Sequence, residues 1–316
     1  MQPTMLSRYA PTSIDAFEKR DILRTLIQMD MLHILIIGGP GTGKSTLSRL
    51  IVREYYAGAP HVKDNVLVIN SLKEQGVQYY RTEVRNFCQT TCTIRSKKKS
   101  ITIDDIDVIQ EHGQQVFLNC IDLYGGNVNY IVTGTAPQKI VENIHSRLVC
   151  LKLPAFTDEY LKQILRDITA AEGMQVDEAA ATRIVVRCNH SIRTLINFVE
   201  KFKLLGGAIT ADAADRVCSN IYEVHMATLA KNVLEKDLRS AIELVHRIYA
   251  EGYSVMDILD AFFNHVKFAE IADSIKYPIL KVICKYIVIF NHVHEHPIEL
   301  NFFVNDLANA PLCVHP

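Results

Sequence analysis

No apolar run in this chain approaches the roughly 20 residues that a membrane span needs. The most apolar late stretch, around Lys281–Phe290, is short and carries lysines. No membrane partner is therefore expected. No secretory-type leader opens the sequence either, so an intracellular protein, not a secreted one, is expected. Net charge is missing too: 34 Lys+Arg against 35 Asp+Glu leave −1. That balance excludes a diffuse basic surface, so any nucleic acid must meet a local basic face. Eight cysteines are scattered along the chain, and Cys88 and Cys92 form the one close pair. No second pair stands at zinc-ribbon spacing, which points to reduced thiols, mostly buried. His292, His294 and His296 alternate in a polar stretch before Pro297 and read as loop, not as a metal site. Internal repeats and low-complexity tracts are absent.

What remains is the composition of a folded chain. At 316 residues, 48% hydrophobic and 22% charged, it can bury a core and fill about two or three domains. Short apolar runs at His33–Ile37, Asn65–Ile69, Ser100–Ile103, Asn129–Thr133 and Leu148–Leu153 read as strands. Helical spacing appears at Ser45–Tyr56, Gln78–Thr90 and Gln114–Tyr124. Strands alternating with helices imply an α/β fold with a parallel sheet. After Pro154 the strands stop and amphipathic helical segments run on, with a loop expected at Gly206–Gly207.

Gly38-Gly-Pro-Gly-Thr-Gly43-Lys44-Ser45 satisfies the P-loop pattern between a strand and a helix. Its glycines (Gly39, Gly41, Gly43) let backbone N–H groups of the loop, including those of Thr42 and Thr46, turn toward phosphate oxygens. Lys44 is placed to neutralise the β- and γ-phosphates of ATP, and Ser45 to ligate Mg²⁺. A second acidic element, Ile101-Thr-Ile-Asp104-Asp105-Ile-Asp107, ends a hydrophobic strand. Beside a P-loop, Asp104 is expected to hold Mg²⁺ through water and Asp105 to orient or activate the attacking water. A helix cap is the alternative for carboxylates at a strand end.

With these motifs in place the sequence resembles a small subunit of the sliding-clamp loader, the replication factor C type of AAA+ ATPase. Tyr9-Ala-Pro11 resembles the family's Tyr-Arg-Pro, and Asn70-Ser-Leu-Lys-Glu74-Gln-Gly76-Val its Asn-Ala-Ser-Asp-Glu-Arg-Gly-Ile. Phe87-Cys-Gln89-Thr90 is similar to Phe-Ala-Gln-Thr, and Asp104–Asp107 stands where the family has Asp-Glu-Ala-Asp. His145-Ser146-Arg147 stands at the Ser-Arg-Cys motif, and Ser191-Ile-Arg193 at Gly-Asp-Met-Arg. The resemblance implies that Tyr9 and Pro11 lie near the adenine and that Arg193 is a lid sensor for the chain's own ATP. It further implies that Arg147 is an arginine finger completing a neighbour's site. It places the Gln78–Thr90 helix toward clamp or DNA, with Arg81 and Arg85 as candidates for phosphate contact. Phe87 reads there as clamp anchor or core, and the Lys97–Lys99 run as a solvated loop rather than a DNA contact.

Departures accompany the likeness. The family's sensor Asn aligns with Thr135, its paired arginines with Leu118 and Asn119, and its Val-Gly-Gln-like segment near the adenine with Phe17-Glu18-Lys19. The fold implied is a P-loop AAA+ domain over 1–155, a small helical lid over 156–220 and an all-helical collar over 221–316. The function implied is ATP-dependent opening of a sliding clamp and its loading on primer–template DNA, at the site of replication in a nucleus or a cytoplasmic viral factory. The other subunits of a hetero-oligomeric, pentameric ring would be partners. Two alternatives stay open: a non-hydrolysing structural subunit, and a replication initiator or helicase loader of the same superfamily.

Overall fold

The computed structural model describes residues 4–59, 61–70, 77–218, 223–269, 271–292 and 296–310. The family-like stretch after Asn70 lies outside the described residues as far as Gly76, as do His294 and Cys313. The chain divides into two compact units, Met1–Ile209 and Thr210–Pro316.

The first unit is built on five parallel strands: β1 His33–Gly38, β2 Val66–Asn70, β3 Lys99–Asp104, β4 Val128–Gly134 and β5 Val149–Leu153. Their order is β2-β3-β4-β1-β5. Strands β2 and β5 close the sheet as partly exposed edges, whereas the runs at β1, β3 and β4 are mainly apolar because both faces of these central strands are covered, so neither face could be polar. Alternation along β1 shows it. Ile34 and Ile36 pack with Leu47, Ile51 and Tyr55 on one face, while Leu35 and Ile37 pack with Phe117, Tyr130 and Val132 on the other.

Helices α1 Met5–Arg8 and α2 Arg20–Gln28 precede β1 and α3 Lys44–Tyr56 follows it; α4 Val77–Tyr79 and α5 Arg85–Gln89, joined by a π-helical turn over Tyr80–Val84, follow β2. Next come α6 Glu111–Tyr124 and the short α7 Glu142–His145. Three amphipathic helices complete the unit: α8 Asp158–Ala171, α9 Glu178–Arg187 and α10 Ile192–Leu205. Gly206 and Gly207 turn the chain with φ of 71° and 92°.

The basic run is not a solvated loop. Lys97 lies 4.3 Å from the Tyr55 ring, Lys98 donates to the Asp30 carbonyl at 3.0 Å, and Lys99 is buried as the first residue of β3. The Lys99 ammonium caps the end of α5, donating to the Phe87 carbonyl at 3.3 Å and to the Thr90 hydroxyl. Phe87 is half-buried beneath it. All described cysteines are free, but Cys150 and Cys284 are exposed, against the expectation of mostly buried thiols at these two positions.

Helices alone form the described part of the second unit: α11 Ala211–Cys218, α12 Glu223–Leu234, α13 Leu238–Ala250, α14 Val255–Phe268, α15 Asp273–His292 and α16 Pro297–Ala308. The apolar stripes of α12 to α16 meet in one core centred on Leu259, Phe262, Ile283 and Phe303. A reciprocal cap between Ser254 and Asp257 starts α14.

Within the first unit, the three amphipathic helices reach the P-loop at one close approach. A Cβ on Gly41 would stand 2.0 Å from the Ser191 hydroxyl oxygen, and Gly41 holds φ +74°. Gly58 shares that backbone conformation, at φ +77°, in open space. Gly58→Ala should therefore cost only the left-handed penalty, about 1 kcal/mol. Gly41→Ala must in addition displace the first turn of α10, and should cost about 2 kcal/mol or more. Chemical denaturation of the two variants checks the difference.

Candidate nucleotide site

The register of the sheet sets the site. Gly38 pairs with Leu153, Ile37 with Gly134, and Asn70 with Asp104, so the P-loop and the acidic element leave the same edge. In open α/β sheets that carboxyl edge is where ligands bind. The strand β4 separates β1 from β3, which sets the two loops about 10 Å apart.

The P-loop turns through Gly41 and Gly43, the latter at φ +91° as N-cap of α3. The first amides of α3 therefore face outward with the positive end of the helix dipole. Lys44 is 7% exposed, and its ammonium donates to the Gly38 carbonyl at 2.9 Å and the Gly39 carbonyl at 2.8 Å. Burial lowers its pKa, opposed by the carboxylates of Asp105, Asp107 and Asp104 and assisted by Arg193. Thr42 closes the loop by donating to the Gly39 carbonyl at 2.8 Å.

The carboxylates have separate environments. Asp104 accepts from the Thr133 hydroxyl at 3.2 Å, and that hydroxyl oxygen receives the Asp105 amide at 3.0 Å. Asp105 itself sits at φ +53°, a conformation that asparagine, aspartate and glycine tolerate best. Its pKa is raised, by burial first; Asp104 and Asp107 add to this, and Lys44 and Arg193 oppose it. The capping alternative fails for Asp105, whose side chain makes no cap bond to its own short helix Ile106–Val108. Asp107 was not singled out from sequence. Its two oxygens accept from the Thr135 and Ala136 amides at 3.0 and 3.1 Å, and so fix the loop after β4.

Thr42, Lys44, Asp105 and Thr135 line one cavity of about 570 Å³, together with the N-terminal segment and the inner faces of α8 and α10. Among the sequence-derived residues, Tyr9, Pro11, Gly41, Thr42, Gly43, Lys44, Ser45, Thr46, Asp105, Thr135 and Arg193 lie on its wall. Gly39 contributes its carbonyl to Lys44 from behind, and Asp104 stands beside the wall at the strand end. Phe17 also lines the cavity, against Gly43, so the divergent Phe17-Glu18-Lys19 segment still supplies wall. Sequence reasoning missed the α8 face of Tyr160, Ile164 and Ile168, although its helical spacing was there to read.

Three arginines stand elsewhere. Arg147 donates to the Asp122 carboxylate and, at 3.1 Å, to the Asn143 carbonyl. Arg81 and Arg85 are exposed in and after the π-helical turn, with Arg81 3.4 Å from the His112 ring nitrogen.

A family model for the "ATPase family associated with various cellular activities (AAA)" matches residues 34–151, and one for the "Replication factor C C-terminal domain" matches residues 222–286. The chain is thus similar, at low identity and over most of its length, to replication factor C small subunits. It is 22% identical over 284 residues to replication factor C subunit 4 of Encephalitozoon cuniculi, covering 88% of this chain and 89% of that protein. Against replication factor C small subunit 1 of Pyrobaculum islandicum it is 22% identical over 308 residues, covering 96% and 93%. A mutant form of Thermotoga maritima RuvB superposes with a TM-score of 0.51 at 17% identity, covering 71% of this chain and 79% of that one, which shows the fold alone. The AAA match spans the cavity's P-loop, acidic element and Thr135, while Tyr9, Pro11 and Arg193 fall outside it.

Amides, three cationic side chains (Lys44, Arg49 and Arg193) and the Asp105 carboxylate around one cavity suit a magnesium-bound polyphosphate. Among the described residues, no three His, Cys, Asp or Glu side chains converge as a protein-only metal cage. Ser45 on the cavity wall and Asp104 at the end of β3 carry the oxygen donors that Mg²⁺ takes, one hydroxyl and one carboxylate.

Asp105→Asn keeps the left-handed backbone and removes the charge that burial disfavours. The folded protein holds this proton more tightly than the unfolded chain, so ionisation costs stability as pH rises through the raised value. Thermal melts of the variant against the parent chain should show a stabilisation at neutral pH that fades below the ordinary carboxylate range. ATP turnover, the other readout, should fall in the same variant.

Proposed function

We propose that this chain is an ATP-dependent clamp-loader subunit acting in DNA replication. One observation carries the reading: a P-loop cavity with cations from both the loop and α10 stands in a chain that also has a replication factor C C-terminal domain. In the proposal, residues 1–155 bind ATP, 156–220 form the lid, and 221–316 form a collar that joins other subunits in a pentameric ring. ATP binding orders that ring so that it opens a sliding clamp and places it on primer–template DNA. Hydrolysis then releases the clamp.

Roles follow from chemistry. Lys44 and Arg193 neutralise phosphate charge, and the loop amides orient the phosphates. Asp105 accepts a hydrogen bond from the attacking water, aided by its raised proton affinity. Thr135, its amide held by Asp107, presents a hydroxyl to the same region. When Mg²⁺ is bound, Ser45 and Asp104 would hold it, and it supplies further charge neutralisation. Arg81 and Arg85 offer a local basic face for DNA phosphates. A weakly or non-hydrolysing subunit is the second reading, favoured by the short, left-handed Asp105 in place of a longer carboxylate.

Arg147 is assigned to a neighbouring subunit's ATP. Its guanidinium sits on Asp122, away from the cavity wall. A dominant arginine finger supplies about 10³-fold or more in rate, and a conformationally gated ring should show less. Arg147→Ala should leave ATP binding by the isolated chain within about twofold, and should lower DNA- and clamp-stimulated hydrolysis by the assembled ring about tenfold or more. Loss of ATP binding by the isolated variant, or full turnover by the ring, contradicts the assignment.

A further inference from the structure

One buried carboxylate outside the phosphate machinery ties the cavity's walls together. Glu172 follows the last turn of α8, its side chain 7% exposed. One oxygen accepts from the Tyr9 hydroxyl at 2.7 Å and from Arg8 Nη1 at 2.7 Å. The other accepts from the Lys203 ammonium on α10. Three elements thus meet on one side chain: the N-terminal segment, α8 and α10. All three also line the cavity, the first through Tyr9 and Pro11, the others through Tyr160, Ile168 and Arg193.

The donors keep the group charged. Hydrogen bonds from Lys203 and Tyr9, with the added attraction of Lys203 and Arg8, hold its pKa at about 2. The same bond raises the Tyr9 pKa, so the phenol stays a donor. A carboxylate with two cations and a phenol on its two oxygens is satisfied in full, and neutral substitutes cannot hold all three donors.

We infer that Glu172 is a positioning residue that fixes the N-terminal wall of the nucleotide cavity against α8 and α10, and thereby sets affinity for the nucleoside part of ATP rather than for its phosphates. The inference rests on the proposed ATP reading. The P-loop and Lys44 are positioned by β1 and α3, with no bond to Glu172 or its three donors. Arg193 stands at the far end of α10 from Lys203, next to the approach of Ser191 to Gly41, so phosphate affinity should survive loss of the clasp while the wall built by Tyr9 and Pro11 loosens.

Titration with two probes tests it: MgATP, and Mg²⁺ with inorganic tripolyphosphate, which has no base or sugar. Glu172→Ala should weaken ATP about tenfold and tripolyphosphate less than twofold. Tyr9→Phe, which keeps the ring, should weaken ATP by a smaller factor and add nothing in the Glu172→Ala background. Should Glu172→Ala fail to fold, Tyr9→Phe with the same two probes decides. Equal losses for both probes would mean a merely structural residue and overturn the inference. So would an unchanged ATP affinity in both variants. A wild-type chain that binds tripolyphosphate but shows no gain for ATP overturns the clasp alone, whereas one that binds neither overturns the nucleotide reading with it.

Discussion

A buried ammonium governs this structure. Lys44 is 7% exposed, and an unpaired charge at that depth would be costly. The Gly38 and Gly39 carbonyls accept hydrogen bonds from it, and the carboxylates of Asp105, Asp107 and Asp104 lower the remaining cost. That compensation is available only if β1 and β3 end at the same level with β4 between them. The register of Ile37 with Gly134, and the all-parallel order of the sheet, supply it. The continuous apolar strands, the helices on both faces and the turn at Gly43 are the means by which this arrangement is held.

The second constraint is the approach of α10 to the P-loop. Ser191 caps α10 through the Thr194 amide and leaves no room for a side chain at Gly41. Arg193, two residues on, thereby enters the cavity wall opposite Lys44's loop. The first unit thus builds a phosphate end from sheet edge and α3, and a second wall from α8, α10 and the N-terminal segment. Asp105 carries the strain of that design in its left-handed backbone, as residues near reacting groups often do.

Much of this was legible in the sequence, for identifiable reasons. The central strands β1, β3 and β4 were readable because strands covered on both faces appear as unbroken apolar runs, while the edge strands β2 and β5 were read from apolar residues that are partly exposed. The P-loop was readable because its chemistry is local, eight residues between a strand and a helix. What escaped depends on distant partners. Glu172 meets Tyr9 and Arg8 across more than 160 residues of chain, and no spacing rule announces that. Asp107 read as one more acid in an acidic run, yet it fixes amides at 135 and 136, on another loop. Lys99 looked like surface charge because its neighbours are lysines, but β3 begins on it and the carbonyl end of α5 takes its protons. The α12–α16 core was visible as helical spacing, and the Gly206–Gly207 loop read from the sequence stands just before the division between the two units at residue 209.

The proposed role of Lys44 as the cation for nucleotide phosphate is tested most directly by equilibrium titration of a fluorescent ATP analogue into wild type and Lys44→Ala. A charge-assisted contact of about 1.5–3 kcal/mol corresponds to a loss of roughly ten- to a hundredfold in affinity. The account predicts that loss in a variant that remains folded. Unchanged affinity in a folded Lys44→Ala protein would contradict it.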